Sequence, residues 1–193
     1  MFGQLVPDRT KYKHGGRNML YPIGIQSFEK IRTGGFVYVD KTALIYRLAA
    51  SGQYYFLSRP RRFGKSLLVS TMEAYFSGRK ELFEELAMES LEKDWTEYPV
   101  LHLDLTGSSY TDISQLKISL DQHLRKWESL YDVTPVSEDL SSRFKDVIDA
   151  AYQKTGQKVV ILIDEYEKPI IDNIDNPELM EQFRRELQGF YSV

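Results

Sequence analysis

The chain has 193 residues, 42% of them hydrophobic, and a formal net charge of -3, which suits one domain with a core and argues against a nucleic-acid coat or a polybasic membrane module. Without cysteine there is no disulfide framework, thiolate metal site or cysteine nucleophile, and His14, His102 and His123 stand without ligand spacing. No apolar run is long enough to span a bilayer and no hydrophobic signal core opens the chain, so cytoplasm is the default compartment and no membrane partner is expected.

Residues 1–20 read as a flexible basic arm, because Arg9, Lys11, Lys13, His14 and Arg17 around Gly15-Gly16 offer charge and freedom but little to pack. The globular pattern fills residues 21–193. Phe28 and Ile31 predict a short helix, Phe36 to Val39 a short strand, and Asp40 a cap for a helix that runs through Ala43 to Ala49 and closes at Gly52. Tyr54 to Leu57 reads as an apolar strand, Ser58-Arg59-Pro60-Arg61-Arg62-Phe63-Gly64 as a loop, and Lys65 to Phe76 as a helix stopped by Ser77-Gly78.

That strand, loop and helix carry chemistry. The first amides of a helix have no intrahelical acceptor, and the macrodipole adds positive potential, so a polyphosphate is favoured at such an end. In Gly64-Lys65-Ser66 the lysine suits the terminal phosphates and the serine hydroxyl suits a magnesium ion, which points to nucleoside triphosphate. The full phosphate-loop pattern places glycine where Arg59 stands, and Arg59-Pro60 restricts the backbone there. Arg59, Arg61, Arg62 and Lys65 still set four cations within seven residues, a charge distribution made for an anion. The competing reading is a basic loop before an ordinary helix.

Further along, Leu82, Phe83, Leu86, Leu91 and Trp95 predict one or two helical turns, and Val100 to Leu105 predicts a strand. Two amphipathic helices follow, over about 111–131 and 137–154, separated by Thr134-Pro135. Lys158-Val159-Val160-Ile161-Leu162-Ile163-Asp164-Glu165 is an unbroken apolar run ending in two acids, the mark of a strand buried on both faces of a parallel sheet. Ligands of open α/β sheets gather at the carboxyl ends of such strands, where Asp164 is placed to hold magnesium and Glu165 to polarise an attacking water. A helix starting near Pro177 carries Arg184 and Arg185.

Taken together, Pro22-Ile23-Gly24-Ile25 with Phe28, Tyr38-Val39-Asp40-Lys41-Thr42, the 58–66 loop and Ile163-Asp164-Glu165-Tyr166-Glu167 resemble the AAA-ATPase-like domain of a large group of uncharacterised bacterial proteins. The resemblance covers nearly everything after residue 20. It implies an α/β three-layer P-loop NTPase of the AAA-like branch, with a mostly parallel sheet, ATP and Mg2+ as cofactors, and an arginine-rich loop as a family trait. It also implies that residues 21–193 are the first part of a longer ATPase domain, truncated before its last strands. Members typically continue into a restriction-endonuclease-like nuclease domain, through which alone a nucleic-acid partner is expected; an oligomer is left open.

On this reading Lys65 and Glu165 are the catalytic residues. Arg59, Arg61, Arg62, Phe63, Gly64, Lys65, Ser66 and Leu67 bind the nucleotide, and Ser66 and Asp164 hold the metal. Tyr38, Asp40, Lys41 and Thr42 read as a helix cap before they read as nucleotide contacts. Asp104 ends its strand on the ligand side, as a partner of metal-bound water or as a plain terminator. Arg184 and Arg185 suit surface ion pairs with Glu178, Glu181 and Glu186 better than a reach to a neighbour's phosphate. Glu167 and Lys168 are adjacent, which excludes the nuclease pattern Glu-x-Lys from this segment. Against ATP hydrolysis stand a non-hydrolysing nucleotide-gated module coupled to an effector domain and, more weakly, an arginine cluster that contacts nucleic-acid phosphates.

Overall fold

The computed structural model describes residues 11–14, 17–58, 60, 62–107 and 109–193. The chain is α/β, mostly helical, and divides into two compact units, Met1–Thr96 and Glu97–Val193.

In the first unit, β1 (Lys11–His14) and β2 (Arg17–Leu20) pair antiparallel, so part of the segment expected to be a loose arm is a hairpin. Helices α1 (Phe28–Thr33), α2 (Thr42–Ser51), α3 (Lys65–Phe76) and α4 (Ala87–Leu91), with a 3-10 turn over Lys80–Phe83, enclose a core of Phe28, Ile45, Ala74, Leu82, Phe83, Leu86 and Met88. Tilted aromatic rings close that core: Phe83 lies 4.9 Å from Phe28 and 5.2 Å from Trp95 between ring centroids. The Ser70 hydroxyl accepts the Phe28 amide at 3.0 Å, which locks the start of α1 onto α3.

The Tyr38-Asp40-Thr42 segment takes the capping role. Asp40 Oδ1 accepts from the Thr42 amide at 2.8 Å, Asp40 Oδ2 from the Ala87 amide at 2.7 Å, and the Thr42 hydroxyl from the Met88 amide at 3.0 Å. Two helix starts, α2 and α4, are thereby satisfied by one pair of side chains.

The strand expected over Tyr54 to Leu57 does not form. Among the described residues the strands are β1, β2, β3 (Val100–Asp104) and β4 (Val160–Asp164), while 54–58 is irregular, with Tyr54 93% and Phe56 71% exposed. Strand preference is a preference for a neighbouring strand, and neither sheet of the fold includes this segment. The Tyr55 hydroxyl instead donates to the Leu48 carbonyl at 2.6 Å and closes the end of α2. Phe36 makes only a single bridge to Leu20, so the short strand expected there is reduced to one contact.

In the second unit β3 and β4 pair parallel, as the unbroken apolar run requires, with Val100 opposite Val160 and Asp104 opposite Asp164. One sheet face packs on helices α5 (Ile113–Tyr131), α6 (Leu140–Thr155) and α8 (Pro177–Phe190), through Leu101, Leu103, Leu105, Leu120, Leu124, Trp127, Phe144, Phe183 and Phe190. The short α7 (Lys168–Ile171) follows β4. Asp112, Asp139 and Asn176 cap α5, α6 and α8 with side-chain acceptors.

Candidate functional site

In the first unit α3 starts where the Gly64-Lys65-Ser66 signature lies. Gly64 takes the left-handed conformation at φ 77 at the N-cap of the helix. A Cβ on Gly64 would meet nothing within 4 Å, so glycine is required by backbone conformation and not by space. Arg62 is also left-handed, at φ 67, so two reversals flank Phe63 and curl the main chain ahead of the first helical amides. Such curled segments present successive N–H groups to an anion. The first turn holds no acid to oppose one. Arg62, Phe63 and Gly64 are exposed, and Lys65, Ser66 and Leu67 are half-buried. Leu67 packs against the core. Arg59 and Arg61 lie outside the described residues.

In the second unit β4 is not buried on both faces as its apolar run predicts: Leu162 and Asp164 are buried, whereas Ile161 is exposed. Asp164 is 6% exposed, and its Oδ1 accepts the Glu165 amide at 3.1 Å. Glu165 is left-handed at φ 55, a conformation that costs a non-glycine residue about 1 kcal/mol and is concentrated at functional sites. The Lys168 amide returns to the Glu165 carbonyl at 2.9 Å, which fixes the turn.

Beside it, Asp104 is exposed, and its Oδ1 accepts the Thr106 amide at 2.9 Å. Its own amide donates to His123 Nε2 at 3.4 Å. The other nitrogen, Nδ1, donates to the Ser119 carbonyl at 2.9 Å, an arrangement that needs the Nδ1–H tautomer of a neutral ring. His123 is the contributor that ligand spacing passed over. The legible signal was its place on α5 one turn after Ser119, within the stripe Leu116, Leu120, Leu124, Trp127 that faces the sheet.

Other candidates resolve as structure. Arg184 and Arg185 both pair with Glu181, at 2.7 and 2.9 Å, and the hydrogen bonds from Arg184 and then Arg185 hold the Glu181 carboxyl at about 2. Lys168 pairs with Asp172 and lies 5.5 Å over the Tyr110 ring. A shallow cleft lined by Ser141, Ser142, Lys145, Gly189, Ser192 and Val193 includes none of the acids at the strand ends.

The donor set can be tested against magnesium. Among the described residues no group of three or more His, Asp or Glu is arranged to hold a metal. Magnesium bound with a nucleotide uses one or two carboxylates, phosphate oxygens and water, so the hard oxygen donor Asp164, with the Asp104 carboxylate as its register neighbour, fits it. Among the described residues no helix is long and apolar enough to cross a membrane.

Of the strand, loop and helix expected around Gly64-Lys65-Ser66, the helix forms and the strand does not, while Asp164 closes one strand of a parallel pair. An "Uncharacterized protein in vnfD 5'region" of Azotobacter chroococcum mcd 1 is 40% identical over 174 residues, which cover 89% of this chain and 34% of that protein. The chain thus spans about a third of the relative's length. No solved structure matches. Residues 22–193 match the AAA-ATPase-like family, described as "Predicted AAA-ATPase", and with nearly the whole chain inside that match the protein belongs to this family.

Proposed function

We propose that this chain carries the nucleotide-binding part of a magnesium-dependent ATPase, built as a three-layer P-loop domain. The observation that supports it most is the start of α3, where left-handed Arg62 and Gly64 lead into a helix with Lys65 and Ser66 in its first turn. There the amides of Gly64 to Leu67 bind phosphate oxygens, and the Lys65 ammonium neutralises the β- and γ-phosphates. Arg59, Arg61 and Arg62 add positive potential around the polyphosphate. Ser66 of the first unit and Asp164 of the second each offer an oxygen suited to magnesium, whose contribution would be to neutralise charge that develops on the transferred phosphoryl group. Glu165 orients the attacking water and takes its proton.

A second reading keeps the binding and drops the turnover: a nucleotide-gated module that signals to an effector domain. Arg59 in the place of the loop's usual glycine favours it.

The test is ATP binding and phosphate release by the intact protein. Lys65→Ala abolishes nucleotide binding, and Glu165→Gln keeps binding while turnover stops. Unchanged nucleotide affinity in Lys65→Ala overturns the proposal. Binding without phosphate release in the unsubstituted protein selects the second reading. DNA binding that survives magnesium-ATP would assign the arginine loop to nucleic acid instead.

A further inference from the structure

We infer that Asp104 is a positioning carboxylate for the cation held at Asp164, acting through a metal-bound water; this rests on the magnesium-nucleotide reading above. Asp104 and Asp164 are register partners at the last residue of β3 and β4, so their side chains leave the sheet on the same face, one strand spacing apart. Paired positions of a sheet disfavour like charges, and a divalent ion between them with its water shell turns that repulsion into attraction. Magnesium keeps several of its waters, and each needs an acceptor beyond the metal.

The surroundings hold Asp104 ready for that task. His123 accepts its amide from α5, and the Thr106 amide occupies Oδ1, so both its backbone and one carboxylate oxygen are anchored by neighbours. Because His123 is itself tied to the Ser119 carbonyl, the strand end is braced against the helix. Asp164 is by contrast buried, as a direct ligand should be, and Asp104 exposed, as a water-mediated one should be.

The experiment uses Mn2+ in place of Mg2+ on the intact protein with ATP, read by electron paramagnetic resonance. Asp104→Asn retains an oxygen for the Thr106 amide and removes the charge. It is expected to weaken Mn2+ binding about tenfold, the lower end of the usual effect of an outer partner of a metal site, while ATP affinity in chelator and thermal stability stay unchanged. Asp164→Asn is the reference and weakens Mn2+ more. Unaltered Mn2+ affinity in Asp104→Asn beside a loss in Asp164→Asn overturns the inference and leaves the metal site standing. No loss in either variant overturns the magnesium reading itself. A fall in stability and in metal-free ATP affinity with Asp104→Asn gives Asp104 a purely structural role and also overturns the inference.

Discussion

The carboxylate of Asp40 accepts the amide of Ala87, 47 residues further along the chain, at 2.7 Å, while its other oxygen holds the amide and hydroxyl of Thr42. One side chain thereby fixes the start of α2 and the start of α4. Replacing Asp40 by Ala leaves two helix-end donors without their acceptor, at a cost of about 2 kcal/mol. Trp95 and Trp127 are the only tryptophans, one in each unit, so urea titrations of Trp127→Phe and Trp95→Phe backgrounds assign the loss. It is expected on the Trp95 signal.

Asp40 also makes the first unit sensitive to acid. Burial pushes its carboxyl up, but the hydrogen bonds from the Ala87 and Thr42 amides and the Thr42 hydroxyl outweigh that and hold it below the ordinary value. With the folded value depressed, the stabilisation is complete above the unfolded value of about 3.9 and is lost as pH falls through the folded one. The difference between the native protein and Asp40→Asn should therefore be constant at neutral pH and shrink below about pH 4. A difference that grows in acid contradicts the assignment.

In the second unit Arg143 and Glu128 form a nearly dry pair between α6 and α5. Arg143 Nε and Nη2 reach the two Glu128 oxygens at 2.7 and 2.9 Å, and Nη1 reaches Asp121 at 2.6 Å. The two side chains of the main pair are 8% and 6% exposed. Removing the arginine alone strands a buried carboxylate, so Arg143→Leu is expected to cost about 3–5 kcal/mol. The double variant Arg143→Leu with Glu128→Leu should recover most of that loss, because an apolar pair of similar bulk needs no desolvation. Fluorescence of Trp127, whose ring lies 5.7 Å from that of Phe144, reports the transition. A double variant no better than the single one would mean that the pair stabilises on its own account.

Where local pattern decided the structure, it was legible. The bounds of α3 at Lys65 and Phe76 follow from a glycine before and Ser77-Gly78 after, and β4 follows from an apolar run with no polar break before Asp164. The residues 54–57 are as apolar as β4, yet form no strand, because a sheet is a relation between segments and the periodicity of one segment does not name its neighbour. The β1–β2 hairpin was hidden for a different reason: Lys11, Lys13, His14, Arg17 and Asn18 leave Tyr12, Met19 and Leu20 without an apolar alternation to read. Of the local structure at the candidate site, the helix that starts at Lys65 and the strand that ends at Asp164 were legible. The bracing of Asp104 by His123 was not, since it depends on how α5 lies across β3.

The left-handed residues give a prediction that separates binding from folding. At Gly64 a Cβ meets no atom within 4 Å, so Gly64→Ala pays only for a left-handed alanine, about 1 kcal/mol, and the first unit stays folded. That strain favours a rotation of the backbone ahead of α3, which turns the first amides away from a bound anion. Nucleotide affinity is then expected to fall by about tenfold or more, a larger effect than the stability change, since one misdirected charge-assisted hydrogen bond is worth about 1.5–3 kcal/mol. Glu165→Gly is the converse case: it relieves a left-handed side chain, should raise stability by about 1 kcal/mol, and removes the carboxylate proposed to orient water. Thermal unfolding beside ATP titration and phosphate release checks both. Gly64→Ala with native affinity would show that the conformation of this loop serves only the helix behind it.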